Sequence, residues 1–410
     1  MDIIKNAEAQ LKEQFEKINE IRDYNQEKVL EAFKMNKVGA EHFSYVSGYG
    51  HDDMGREVLD NLFRDIFKTE KAVVRNHFVS GTHALSCALA GNLRYGDNLV
   101  SIAGTPYDTM EEVIGTRGNS ELSLIKNGIK YSEIPLKNDL TVDFENIKNY
   151  VKNDTKMVLI QRSRGYSQRA SLSINDIEKI VKEVKSINPD CICFVDNCYG
   201  EFTEKREPLE VGADLIAGSL IKNPGGGIVE TGGYIAGKEK FVKNAAERLT
   251  AAGIGEWGGS MLNQTRLIMQ GVFMAPSVVS DALKGVVLMS KVFENMGFDT
   301  HPKSDEARTD IIQTIAFHDK EKLLNFCKAI QENSPVDSYV TPIPDDVPGY
   351  DDKLIMAGGT FIEGSTIELS ADGPLREPYA VYIQGGLNYA HIKIALKNAL
   401  NKIANSVVKV

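Results

Sequence analysis

The sequence predicts an α/β protein: a mainly parallel sheet covered by helices on both faces, three layers in all, joined to a smaller C-terminal α+β domain. Three observations carry this. Short runs such as 157–161 (MVLIQ) and 192–196 (ICFVD) are apolar up to a polar last residue, so both faces of those strands are expected to be buried. Helical patterns separate them, residues 174–187 being the clearest, and strands alternating with helices pair in parallel. After Gly297 the texture changes to strand patterns gathered around a single helix.

Residues 2–33 read as a helix, with Ile4, Ala7, Leu11, Phe15 and Ile18 at three- and four-residue steps. Its apolar stripe has too little partner surface nearby in sequence, so it is expected to pack on the body or on another subunit. Residues 38–56 are rich in Gly, Ser, Asp and Tyr and read as a loop. A helix over 58–67 then precedes a strand over 72–76, and a helix starting near Thr82 precedes a strand over 98–103. Further strands are predicted at 214–219 and 234–236. Residues 238–296 read as helical, broken at 253–259 and again at 271–276. Beyond them, strands at 310–316, 338–340, 366–370 and 380–383 surround a helix over 320–332, and a last helix covers 387–403. Residues 341–352 form a turn-prone, proline-rich loop. The implied division is an N-terminal helix and interface arm (1–56), a large α/β domain (57–297) and a small α+β domain (298–410).

Composition excludes several function classes. A net charge of −10 over 410 residues offers no basic surplus for nucleic-acid phosphates. No run of about 18 apolar residues stands out as a membrane span, and the charged N-terminus lacks the apolar core of a secretory signal. Five cysteines are few and odd in number, which fits a reduced, cytoplasmic setting. Cys191, Cys193 and Cys198 read as small buried thiols rather than metal ligands, since no Cys or His cluster accompanies them. No metal is expected.

Four constellations carry chemistry, each close to the carboxyl end of a predicted strand, where α/β sheets bind ligands. Ser80-Gly81-Thr82 opens a helix whose free N–H groups suit a phosphate, with Gly81 allowing close approach. Tyr107 begins another helix and offers a ring for stacking on a planar group. Asp196 closes an apolar strand, where a buried carboxylate needs a partner such as a pyridinium nitrogen. Ser219 and Lys222 bracket a strand end before Pro224 and three glycines; lysine forms Schiff bases with aldehydes, and the serine is a phosphate donor. Each has an ordinary reading as a cap, a packed tyrosine or a loop lysine. Together, in this chain order, they suit an enzyme that holds pyridoxal phosphate. A competing G-x-G-x-x-G match at 253–258 follows a helix rather than a strand, so it lacks the dinucleotide context. It reads as a flexible loop carrying Trp257 near a site or an interface.

These residues, with the strings VSGTHALSCAL, FVDNCYGEF and GSLIKNPGGGIVETGGYIAG, resemble fold-type-I pyridoxal-phosphate enzymes of the cysteine/methionine branch, closest to the methionine-gamma-lyase-like, aluminium-resistance family. The resemblance implies that Lys222 carries the cofactor and acts as catalytic base, with Tyr107 also in the catalytic set. It implies that Asp196 pairs with the ring nitrogen, that Tyr107 stacks on the ring, and that Ser80, Gly81, Thr82 and Ser219 hold the phosphate. It further implies a dimer or tetramer with shared active sites, to which Tyr49 comes from the neighbouring subunit. At the place of the arginine usual two residues after that tyrosine stands His51, so either His51 or Arg56 replaces it, or the phosphate is held differently. Arg376 and Arg162 are the candidates for the substrate's carboxylate, with Arg164 a second anionic contact. The expected reaction is β- or γ-elimination of a thiol from a sulfur amino acid. An aminotransferase or aldolase on the same cofactor, and a non-catalytic cofactor-binding stress protein, are the alternatives.

Overall fold

The computed structural model describes residues 2–165, 167, 169–346 and 352–407. In chain order the elements are helices α1 (Asp2–Gln10), α2 (Lys12–Met35) and α3 (Met54–Ile66), strand β1 (Lys71–Arg75), α4 (Gly81–Asn92), β2 (Asn98–Ser101) and α5 (Asp108–Ile114). Then follow β3 (Lys130–Glu133), α6 (Ile147–Tyr150), β4 (Thr155–Gln161), α7 (Ile174–Ile187), β5 (Ile192–Asp196), β6 (Leu215–Ser219), β7 (Gly233–Gly237) and α8 (Glu239–Leu249). The chain continues through α9 (Gln264–Asn295), β8 (Asp299–His301), β9 (Ile312–Ala316), α10 (Lys320–Glu332), β10 (Leu354–Ala357), β11 (Ser370–Pro374), β12 (Ala380–Gln384) and α11 (Tyr389–Val407).

The first sheet has the strand order β1-β7-β6-β5-β4-β2-β3, with only β7 antiparallel to its neighbours. Its central strands β5, β6 and β7 are buried at every position, as continuous apolar runs require. Register brings their chemistry to one edge: Asp196 lies opposite Gln161 and Ala217, and Ser219 lies two residues beyond Ala217. Strand β3 escaped sequence reading because KYSE is polar, which an edge strand permits.

The expected first helix is interrupted at Leu11. Ile4, Ala7, Leu11 and Ile18 are buried, and α1 and α2 pack on α9, so the body supplies the partner surface. The expected loop over 38–56 ends earlier than predicted, because the Asp53 carboxylate accepts from Arg56 N and caps α3 at Met54. Helix α9 runs unbroken through the predicted break at 271–276. Gly271 marks a close approach instead: a Cβ there would stand 2.4 Å from the Gly225 carbonyl oxygen, so the glycine seats the turn that follows Lys222. Although α9 is long and apolar enough to cross a membrane, 72% of its most apolar stretch is buried inside the protein.

The second sheet, β10-β11-β12-β9-β8, is antiparallel throughout. Here two predictions fail. Residues 338–340 form a turn, and of 366–370 only Ser370 enters a strand. The strand that forms instead, SADGP, has little intrinsic strand preference and is held by pairing with both neighbours. Short strands β8 and β10 were not anticipated. The proline-rich loop 341–352 lies partly outside the described residues.

Candidate active site

A cavity of about 300 Å³ opens at the carboxyl edge of the first sheet. Ser80, Gly81, Thr82, Tyr107, Asp196, Ser219 and Lys222 all line it. Ser80 caps α4, its hydroxyl accepting from His83 N at 3.1 Å. The helical ladder leaves the first-turn amides of Gly81 and Thr82 without intrahelical acceptors. Gly81 packs directly on Ser219: a Cβ at Gly81 would stand 2.9 Å from the serine Cβ. The Thr82 hydroxyl and Tyr107 hydroxyl are 3.0 Å apart, and Tyr107 N donates to Gln161 Oε1 at 3.0 Å. The Tyr107 ring is thus fixed from both ends of the residue.

Asp196 is buried at the end of β5 and receives the backbone N–H of Cys198 at 3.1 Å. Burial raises its pKa, opposed by the charge of Lys222 and the donors at Cys198. Lys222 is half-buried on the cavity wall with Nζ 4.0 Å from the centre of the Tyr199 ring. Burial opposes its ammonium, but Cys198, Tyr199 and Asp196 outweigh that and raise its pKa. The Cys198 thiol is itself pushed well up, chiefly by burial, so Asp196 is the anion that supports Lys222 near neutrality. A cation that takes over Asp196 therefore frees Lys222 to become a neutral amine.

The arginine expectations need correction. Arg162 does not line the cavity. It is fully buried, with Nη1 on Asn197 Oδ1 at 2.8 Å and Nη2 on Glu204 Oε2 at 2.8 Å. Glu207 lies 3.4 Å from its Nη1, so this guanidinium braces the turn after β5 rather than meeting substrate. Arg376 is exposed beyond β11, 3.2 Å from the Asp352 carboxylate, and does not line the cavity either. Arg56 is buried, donating to the Gly259 carbonyl at 3.0 Å, so within this chain it is committed to the fold. Tyr49 is 83% exposed, beside His51, and away from this chain's own cavity. Trp257 is exposed in a short helical turn at Gly255–Trp257, where Arg75 anchors the Glu256 carbonyl. The five cysteines are buried and free, and no group of metal-ligating side chains occurs among the described residues.

Sequence reasoning missed several wall residues. Tyr199 has a φ of +70°, a left-handed conformation costly for a residue with a bulky side chain. Asn223 Nδ2 holds it there by donating to the carbonyls of Tyr199 and Glu201, both at 3.0 Å. The residue after Lys222 thereby fixes the ring that faces Lys222. The signal lay in the sequence as an aromatic three positions past Asp196. Gln161, Ser163, Ile312 and Gln384 also line the cavity. Ile312 and Gln384 come from β9 and β12, so the second sheet closes the site, which no local pattern announces.

Pyridoxal phosphate fits these residues. A buried carboxylate short of donors, a lysine on the same wall, a helix N-terminus packed on Ser219 and a fixed aromatic ring supply its four recognition needs. Comparison with known proteins agrees. Residues 1–404 match the family model described as methionine gamma-lyase. The chain is similar to a candidate cystathionine beta-lyase involved in aluminium resistance from Listeria monocytogenes, with TM-score 0.97 and 50% identity, covering 98% of this chain and 99% of that one. It is similar to a carbon–sulfur lyase involved in aluminium resistance from Clostridium novyi, with TM-score 0.94 and 49% identity over 98% and 95% of the two chains. The uncharacterised protein YnbB of Bacillus subtilis is 47% identical over 97% of this chain and 94% of its own length.

Proposed function

The chain belongs to the methionine gamma-lyase family of pyridoxal-phosphate-dependent carbon–sulfur lyases, and from that premise we propose that it eliminates a thiol from a sulfur-containing amino acid, with Lys222 as the cofactor-bearing base. The observation that carries this reading is the pairing of Lys222 and Asp196 on one cavity wall at the ends of adjacent strands. When bound, pyridoxal phosphate supplies an electron sink that acidifies the substrate's α-carbon. Asp196 would pair with the ring nitrogen. The first-turn amides of α4 and the hydroxyls of Ser80, Thr82 and Ser219 would hold the phosphate. Tyr107, fixed by Thr82 and Gln161, would lie against the ring. Released as a free amine, the Lys222 Nζ takes the α-proton of the substrate. The carbon–sulfur bond then breaks, the thiol leaves with a proton, and water completes the conversion to an oxo acid and ammonia. The exposed Tyr49 loop supports an oligomer in which a second copy completes the site, and the chain's division into arm, large and small domains at 57 and 298 belongs to the same reading.

The experiment is direct. Purified holoenzyme should show a visible absorbance band that Lys222→Ala removes, and should release oxo acid, ammonia and thiol in equal amounts. Conversion of the cofactor to its amine form with an amino donor, without thiol release, would favour an aminotransferase instead. A protein with no visible band, unchanged by Lys222→Ala, would end the proposal.

A further inference from the structure

Lys222 Nζ stands 4.0 Å from the centre of the Tyr199 ring. Among the described residues, five other lysines lie over rings at 5.5–6.0 Å from the centre, so this approach is the close one. The Nζ enters no hydrogen bond and no ion pair among the described residues. A ring face attracts an ammonium group through its quadrupole, and more strongly where water is excluded.

The position of the ring is imposed by its surroundings. Tyr199 sits at φ +70°, a left-handed conformation that disfavours a bulky side chain. Asn223, fully buried and next in the chain to Lys222, fixes that turn by donating from Nδ2 to the carbonyls of Tyr199 and Glu201. Gly200 N and Cys198 N close it from the other side, on the Asn197 carbonyl and the Asp196 carboxylate. One side chain thus ties the ring to the backbone of the lysine it faces.

The titratable groups around Lys222 are Asp196 at the end of β5, Cys198, Tyr199 and Glu201 in the turn beyond, and Tyr107 before α5. Burial pushes the pKa values of Cys198, Tyr107 and Glu201 up, so these three keep their protons near neutrality. Asp196 is the anion among them, and the cofactor's ring nitrogen would claim it. The Tyr199 ring is then the group left to steady a cation on Lys222. That cation forms at one step. The amine lone pair of Lys222 takes the α-proton: an N–H bond forms, the Cα–H bond breaks, and the electron pair stays with the substrate on its cofactor. A neutral amine becomes an ammonium group, which a ring face favours over the amine.

We propose that Tyr199 is a positioning residue for proton abstraction, its ring face, locked by Asn223, receiving the Lys222 ammonium as it forms. This rests on the reading of Lys222 as the cofactor-bearing base. The ring does the work, and the phenol hydroxyl has no part in it.

Two readouts test it, one of them without turnover. In the full chain stripped of cofactor, acylation of Lys222 by acetic anhydride is followed by mass spectrometry. Only the neutral amine reacts, so Tyr199→Leu should be acylated at Lys222 roughly 2–30-fold faster at a fixed alkaline pH, the worth of a cation–π contact. In the holoenzyme, exchange of the α-proton of L-norleucine with deuterated water is read by NMR, since that amino acid has no leaving group. Tyr199→Leu should slow the exchange roughly 2–30-fold and leave the affinity for norleucine in place. Tyr199→Phe, which keeps the ring face, should restore both readouts toward wild type. Trifluorophenylalanine at the same position keeps the shape but strips the face of its negative charge. It should behave as Tyr199→Leu does, and it keeps the test readable if the leucine variant folds poorly. Equal exchange by the phenylalanine and trifluorophenylalanine forms overturns the proposal, as does an acylation rate that Tyr199→Leu leaves unmoved. Exchange that follows the ring as expected, with no thiol released from any sulfur amino acid, fails the lyase reading and leaves the Tyr199 role standing. Thiol release with exchange that the ring variants leave unmoved overturns the Tyr199 role and keeps the lyase reading.

Discussion

The two sheets meet at one cavity but bring differently satisfied polar groups to it. At the edge of the parallel sheet the groups are short of partners. Among the described residues Asp196 receives hydrogen bonds from Cys198 only, and the Lys222 ammonium lies over a ring. At the edge of the antiparallel sheet two charged groups already have their partners. Asp310 accepts three donors, and Arg376 sits in solvent against Asp352. The difference teaches where chemistry can occur: a buried group missing a partner can receive one from a ligand, and a saturated group can only hold the fold.

The largest effect that would sharpen this contrast is at Lys222. Lys222→Ala should lower kcat by roughly 10²–10⁴-fold or more, since general-base work of this kind is worth that much, with the melting temperature little changed. Next comes Arg162, which belongs to the parallel edge yet is already paired with carboxylates. Arg162→Met should destabilise the protein by about 3–5 kcal/mol, because Glu204 and Glu207 lose their buried cation. Denaturant unfolding checks this; a marked change in substrate preference with unchanged stability would break the contrast.

Gly81→Ala should cost about 1–3 kcal/mol in stability by overpacking against Ser219. It should also weaken pyridoxal phosphate binding, which equilibrium dialysis would read. A smaller, pH-dependent effect belongs to Glu201. Burial, its largest influence, raises the pKa of this carboxyl to about 8 from 4.5, with Tyr234 OH donating to it at 2.8 Å. The folded state thus holds a proton that the unfolded chain releases, so wild-type stability falls as pH rises from about 4.5 through about 8. Glu201→Gln should match wild type near the acid end of that window and melt higher near its alkaline end. Smallest of all, Arg376→Ala should change stability by less than about 0.5 kcal/mol, as an exposed ion pair does, and leave kcat/KM within about twofold of wild type.

The same contrast governs what was legible in the sequence. Strands buried on both faces are largely continuous apolar runs, so β4, β5 and β6 announced themselves, and their polar ends located Asp196 and Ser219. The antiparallel sheet is held by cross-strand pairing, so SADGP gave no strand signal and its neighbours were misplaced. Arginine roles were illegible for a related reason. Arg162 and Arg164 stand two residues apart after one strand, and only their partners tell them apart: carboxylates for the first, backbone carbonyls for the second. Gly271 was misread because a close approach and a helix break use the same residue.

The central claim is that Lys222 carries the cofactor. Borohydride reduction of the purified holoenzyme, followed by proteolysis and mass spectrometry, measures it. The reduced cofactor's mass on the peptide containing Lys222, and on no other lysine, is the predicted result. An unlabelled Lys222 peptide in a protein that still holds pyridoxal phosphate, or a label on a different lysine, would contradict the account.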